Sequence, residues 1–327
     1  MRRIVVWFVM AALLCGAAIG LYGYKKWQAL AEPGPLAADK VVFLKRGTGP
    51  STIARQLQDD GIVENARLFV LAMRFKGVAR KLKAGEYQIP AGASANHVMD
   101  ILVSGKTIVH KITIPEGLTS QNIRALLLDA PVLRGKLPDE LQEGRYLPET
   151  YHFSRGERRA DIVRRMRIAQ SELLKKLWKT RDRKIPVNTP KEAIILASIV
   201  EKETGVSSER ARVAAVFVNR LRKKMPLQTD PTVIYALAGG VGRLDRPLTR
   251  KDLKTDHPYN TYRNRGLPPG PIANPGAEAI KAVLNPATTK ELYFVADGSG
   301  GHAFARTLAE HNRNVRRWRK IRDRQKK

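Results

Sequence analysis

Apolar and polar positions divide this chain into stretches of different period. Residues 4–24 form an uncharged run of 21 residues behind Arg2 and Arg3. As a helix that run covers about 30 Å, the thickness of a bilayer core, and it predicts a transmembrane helix. Trp7, Tyr24 and Trp27 suit the two interfaces. Leu14 before Cys15 argues against lipidation, and Lys25-Lys26 ahead of Ala29-Leu30-Ala31 argues for an uncleaved anchor over a cleaved signal. Residues 25–39, with Glu32-Pro-Gly-Pro-Leu36, read as a linker. Residues 40–105 alternate as strand, helix, helix, strand, helix: Val41–Leu44 and Ala84–Ile89 are extended runs, while Ile53, Ala54 and Leu57 have helical spacing. Residues 106–160 contain a weak repeat of what precedes them. Val42, Gly47, Ile53 and Leu57 recur as Ile112, Gly117, Ile123 and Leu127, each set predicting strand, glycine turn and helix. Residues 129–160 are otherwise irregular.

From 161 onward helical periods dominate. Ile162 to Trp178 is a basic amphipathic helix, and Thr189 to Gly205 is a more apolar one with both ends marked. Thr189 can cap it, Pro190 suits its first position, and Glu192 completes a T-x-x-E capping box. Gly205 is placed to end it in the left-handed conformation. Its body is aliphatic, yet its last turn carries Glu201 and Glu203. Burial and the negative end of the helix dipole both raise a carboxyl pKa, as a general acid at neutral pH requires. On a helical wheel Glu203 falls between Leu196 and Ile199 on the bulky stripe, and Glu201 lies beside Ala197 and Ile194. Glu203 is thus the better candidate acid. The alternative is a pair of ordinary helix-end charges matched by Lys202 or Arg210. A second helix runs from Ser207 or Ser208 to Leu221, and a short one from Thr232 to Leu237. Residues 248–275, rich in Asn, Thr, Tyr and Pro, predict a ligand-facing loop. Leu292–Val295 and His302–Ala305 flank Gly298-Ser-Gly-Gly301 as a hairpin, and a basic helix from Leu308 closes the chain.

Charge narrows the partners. The 327 residues include 59 Lys and Arg against 30 Asp and Glu, a net +29, which fits nucleic acid, anionic lipid or an anionic wall polymer. No zinc-finger, RNP or P-loop pattern is present, so nucleic acid is not expected. Six histidines, none spaced as ligands, and a lone Cys15 predict no metal site, no cofactor and no internal disulfide.

Ala-Ser-Ile-Val-Glu-Lys-Glu-Thr (197–204), Val-Phe-Val-Asn-Arg-Leu (216–221) and Leu-Gln-Thr-Asp-Pro-Thr-Val-Ile-Tyr (227–235) resemble the endolytic murein transglycosylase, YceG-like family. So do Tyr-Asn-Thr-Tyr (259–262) and Gly-Leu-Pro-Pro-Gly-Pro-Ile-Ala-Asn-Pro-Gly (266–276). The resemblance implies an α+β chain: N-terminus (1–3) in the cytoplasm, transmembrane helix (4–24), linker (25–39), LysM-like domain (40–105), a second strand–helix unit and connector (106–160), and a catalytic domain (161–327). It implies a single-pass inner-membrane protein with its body in the periplasm, acting on peptidoglycan glycan strands beside peptidoglycan synthases. It further implies cleavage of the β-1,4 bond between N-acetylmuramic acid and N-acetylglucosamine to leave 1,6-anhydro ends, as a terminase of strand elongation. Glu203, followed by Thr204, matches the catalytic acid. Glu201, Gln228, Thr229, Asp230, Tyr235, Tyr259, Asn260 and Tyr262 are candidate substrate contacts, with Glu149 where the family commonly has aspartate. The competing expectation is a non-enzymatic membrane-anchored peptidoglycan-binding scaffold.

Overall fold

The computed structural model describes residues 2–325, a mixed α+β chain with small sheets. Its first helix, α1 (Arg2–Gln28), covers the uncharged run. Among the described residues, however, no helix is long and apolar enough to cross a membrane. This overturns the expected single-pass, inner-membrane location with a periplasmic body. Met1 and several side chains of the expected span lie outside the described residues.

Two compact units follow from the fold: Met1–His110 with His152–Arg155, and Lys111–Tyr151 with Gly156–Lys327. In the first, β1 (Lys40–Leu44), α2 (Pro50–Asp59), α3 (Ala66–Phe75), β2 (Gly85–Ile89) and α4 (Ala95–Ser104) occur in the expected order. β1 and β2 pair antiparallel with Val42 opposite Tyr87. Alternation sends Val42, Leu44, Tyr87 and Ile89 inward, where Leu57, Phe69, Met73 and Leu102 cover them. Asn65 and Ser94 cap α3 and α4 by accepting from Leu68 N and His97 N.

The chain passes to the second unit through β3 (His110–Thr113) and returns through β4 (Thr150–Phe153), its partner strand. α5 (Ser120–Asp129) follows β3 after a turn at Gly117 (φ 73°), as α2 follows β1 after Gly47 (φ 82°). The repeated strand–turn–helix pattern is therefore real, and Ile112, Ile123 and Leu127 are buried like their counterparts.

α7 (Pro190–Glu203) is the axis of this unit. It packs against α6 (Arg159–Lys179), α8 (Arg210–Arg222), α9 (Asp230–Leu237) and α10 (Ala277–Leu284). Leu196, Ile199 and Val200 meet Val213 and Phe217 of α8 and Ile280 and Val283 of α10. Thr189 Oγ1 accepts from Glu192 N at 3.2 Å, but the reciprocal acceptor bond of Glu192 goes to Asn188 N. The C-terminus also departs from expectation. Thr204 leaves the helix in an extended conformation (φ −137°, ψ 127°) and Gly205 has no positive φ. Thr204 Oγ1 accepts from Val206 N at 3.1 Å, so a hydroxyl turn replaces the glycine stop. A 3-10 turn at Ser207–Glu209 precedes α8, and residues 248–275 hold no regular element beyond the turn Asp252–Lys254. β5 (Tyr293–Ala296) and β6 (His302–Ala305) form the expected hairpin, against which α11 (Leu308–Gln325) packs.

Candidate active site

The two glutamates that end α7 have separate fates. Glu201 turns inward: its Oε2 accepts from Gly276 N at 2.9 Å, its Oε1 from Arg210 Nη2 at 3.3 Å, and its side chain is 5% exposed. Both carboxylate oxygens thus tie α7 to α8 and to the start of α10. Glu203 is half-buried and accepts from a single hydroxyl, Thr229 Oγ1, at 2.8 Å. Burial lifts its pKa above the usual carboxylate range. The Thr229 bond pulls it down, the charge of Asp230 pushes it up, and His302 and Arg220 pull it down. Glu203 therefore retains an acidic proton at higher pH than an exposed glutamate.

The segment before α9 sets this geometry. Gln228 adopts φ 51°, a conformation costing about 1–3 kcal/mol for a residue with a side chain. Three contacts hold it there: Gln228 N donates to Thr261 O, Thr229 N donates to Thr261 Oγ1, and Arg220 Nη1 donates to Gln228 Oε1. Arg220 Nη1 also donates to Pro226 O and Leu227 O, and its Nε to Leu292 O. This buried guanidinium fastens the whole turn. Asp230 begins α9 and accepts from the Tyr262 hydroxyl at 2.6 Å, which with burial raises the Tyr262 pKa.

The other sequence-predicted residues divide. The rings of Tyr235 and Tyr259 lie with centroids 5.1 Å apart, tilted by 42°. Tyr235 lines a cleft of about 400 Å³ with Asp230 and Lys202. Asn260 is fully buried and spends its amide on its own loop, donating to Leu253 O and Thr255 O and accepting from Tyr262 N. It shapes the loop that carries Tyr259 and Tyr262. Glu149 is exposed, and its carboxylate accepts from the adjacent Thr150 N.

The carboxylate that sequence reasoning missed is Glu143. Its Oε1 accepts from Ser120 N, Ser120 Oγ and Asn274 Nδ2, while Tyr235 Oη donates to Oε2 at 3.4 Å. Gly144 beside it is obligatory, because a Cβ there would lie 2.5 Å from Pro271. Burial pushes the Glu143 pKa up to about 7 against the pull of these donors. The native state therefore keeps a proton that the unfolded chain releases near pH 4.5. Stability associated with this group is fully present below that pH and is lost as pH rises toward 7. Glu143→Gln, which preserves the acceptor and the shape, is expected to flatten this part of the profile. Urea melts at pH 5 and pH 7.5 check it: an unchanged slope in the variant would mean that Glu143 is ionised throughout.

His302 and Glu209 form another unforeseen pair. Glu209 Oε1 accepts from His302 N, and Oε2 lies 2.7 Å from Nδ1, which fixes the hairpin to the start of α8.

Comparisons with known proteins agree over most of the chain. Residues 42–317 match the YceG-like family. The endolytic murein transglycosylase of Bacillus subtilis (strain 168) is 32% identical over 334 residues, covering 92% of this chain and 90% of that protein. The endolytic murein transglycosylase of Streptococcus pneumoniae (serotype 2, strain D39) is 28% identical over 94% of this chain, which spans 64% of its length. The crystal structure of a YceG-like protein from Listeria monocytogenes is similar with a TM-score of 0.53 at 30% identity, covering 84% of this chain and 98% of that one. The family's sequence pattern thus extends across nearly all of the elements described above, and this chain belongs to the YceG-like family.

Proposed function

We propose that this protein is an endolytic peptidoglycan lytic transglycosylase with Glu203 as its single acid–base group. One observation carries the reading: a carboxyl of raised pKa stands at the end of the largely buried helix α7, held among the described residues by one hydroxyl. Endolytic murein transglycosylases related over nearly the full chain supply the reaction class.

Protonated Glu203 gives its proton to the oxygen of the β-1,4 bond between N-acetylmuramic acid and N-acetylglucosamine, and the bond to C1 breaks. Positive charge then develops at C1. The carboxylate of Asp230 stabilises it electrostatically. Glu203, now ionised, takes the proton of the muramoyl C6 hydroxyl as that oxygen attacks C1 and closes a 1,6-anhydro ring. Water is not the acceptor, so a second catalytic carboxylate is not needed to activate it. Tyr235 and Tyr259 offer aromatic faces to the sugar rings, and Gln228 offers an exposed amide beside the acid. The family reading extends to a terminase acting beside the synthases that elongate the strand. Residues 40–105 act as a LysM-like glycan grip ahead of the catalytic domain at 161–327.

Digestion of purified peptidoglycan followed by mass spectrometry tests the reaction. Internal fragments ending in 1,6-anhydro-N-acetylmuramic acid are expected, and ordinary reducing ends alone would make the protein a hydrolase. A finer test uses Thr229→Val, which keeps the side-chain shape but removes the donor to Glu203. That donor stabilises the ionised form, so its loss raises the Glu203 pKa further and keeps the acid protonated to higher pH. The alkaline limb of kcat/KM should move upward. A downward move would contradict the assignment of Thr229.

A further inference from the structure

The cleft at α9 carries more positive charge than a neutral sugar chain requires. Its apolar wall includes Ile234, Tyr235 and Ile272, and its cations are Lys202, Arg243 and Arg246. Their circumstances differ. Arg246 donates through Nη1 and Nη2 to Asp252 at 2.6 and 2.9 Å, and Asp252 also accepts from Thr249 N and Oγ1, so this guanidinium is consumed in holding the loop. Lys202 Nζ donates to Gly117 O at 3.3 Å and remains exposed. Arg243 is exposed and, among the described residues, makes no ion pair or hydrogen bond. The acid in the lining, Asp230, is bound by the Tyr262 hydroxyl.

We propose that this cleft is the subsite for the peptide borne by the muramoyl sugar, with Arg243 binding a carboxylate of that peptide. The proposal rests on the transglycosylase reading. N-acetylated sugars of the strand are neutral, and the muramoyl carboxyl is blocked where the peptide is attached. Negative charge on the substrate therefore resides in the peptide. The sugar whose C1 reacts sits at Glu203. Lys202 precedes Glu203 in the chain, and Asp230 acts on Glu203 electrostatically, so a substituent of that same sugar is within reach of the cleft. A volume of about 400 Å³ is that of a small-ligand site. A planar guanidinium matches a carboxylate in two parallel hydrogen bonds, which an ammonium cannot do. The cleft thereby favours strands that carry peptide carboxylates over strands whose muramoyl carboxyls are neutral and bear no peptide.

The test compares peptide-bearing glycan strands with the same strands stripped by an amidase and then treated to convert the freed muramoyl carboxyls to neutral methylamides, using the full chain. Two readouts are taken: kcat/KM for release of anhydro ends, and equilibrium binding by the Glu203→Gln protein. The unmodified protein should favour peptide-bearing strands by about tenfold, the size of one charge-assisted hydrogen bond. Arg243→Ala should collapse that ratio to near one, chiefly through KM, and Arg243→Lys should restore part of it. Adding Arg243→Ala to the Glu203→Gln protein should collapse the binding preference likewise. A merely structural role for Arg243 would lower both substrates together and leave the ratio intact, which overturns the proposal. Equal binding of the two strands by the Glu203→Gln protein overturns it as well. If neither strand is cleaved, the reaction reading fails, while the binding comparison still decides the cleft.

Discussion

Replacing Glu203 by glutamine is expected to abolish measurable strand cleavage while leaving the protein folded. Loss of one acid–base group costs about 10²–10⁴ in rate. Here a single carboxyl is asked to give a proton in one half of the reaction and take one in the other, so the loss should lie at or beyond the upper end. The amide keeps an oxygen to accept from Thr229 Oγ1, which now donates to Glu203 at 2.8 Å. It also cannot ionise at the negative end of the α7 dipole, where a carboxylate meets a conflict of about 0.3–1 kcal/mol. The melting temperature should accordingly be unchanged or slightly raised. Burial and Asp230 both raise the Glu203 pKa, so the ionised carboxylate is the unfavourable form in this environment. The variant escapes that cost. Mass spectrometry of digested peptidoglycan and a thermal melt together check the expectation. Anhydro ends released at the unaltered rate would remove Glu203 from the mechanism.

Much of this arrangement was legible because helices announce themselves through capping and period. Thr189, Pro190 and the aliphatic stripe define α7, and the wheel separates Glu203 from Glu201 before any contact is known. The wheel does not say what each glutamate meets. Glu201 lies on a face that the sequence marks as less bulky, yet the fold brings Arg210 and Gly276 to it. Gly205 was misleading for a local reason: the Thr204 hydroxyl offers a bond to Val206 N that closes the turn without a left-handed residue. Asn260 misled for a different one. An Asn- and Tyr-rich loop is compatible with sugar binding, but a buried amide must satisfy its own bonds first, and Asn260 does so within the loop. Glu143 could not be found at all. Its partners lie 23, 92 and 131 residues away in sequence, at Ser120, Tyr235 and Asn274, and no periodicity encodes such a meeting.

Glu201→Ala should produce the opposite phenotype to Glu203→Gln, a damaged fold with the acid still in place. Alanine removes the acceptor of Gly276 N and the carboxylate facing Arg210, whose side chain is only 12% exposed. Breaking a buried ion pair by deleting one partner costs about 3–5 kcal/mol. Arg210 Nη2 retains Glu116 Oε2 at 3.1 Å, so it is not left alone, and the lower end, about 3 kcal/mol, is the expected loss. For a unit of this size each kcal/mol moves the melting temperature by about 2–4 °C, which predicts a fall of roughly 6–12 °C. Glu201→Gln should fall much less, because its oxygen still accepts from Gly276 N and burial already disfavours the charge that it removes. The discriminating readout is the residual activity of each variant below its own melting point. Both should still release anhydro ends, since Glu203 and Thr229 are untouched. If Glu201→Gln melts like the unmodified protein yet cleaves nothing, the acid is Glu201, and the assignment made from the geometry of α7 is wrong.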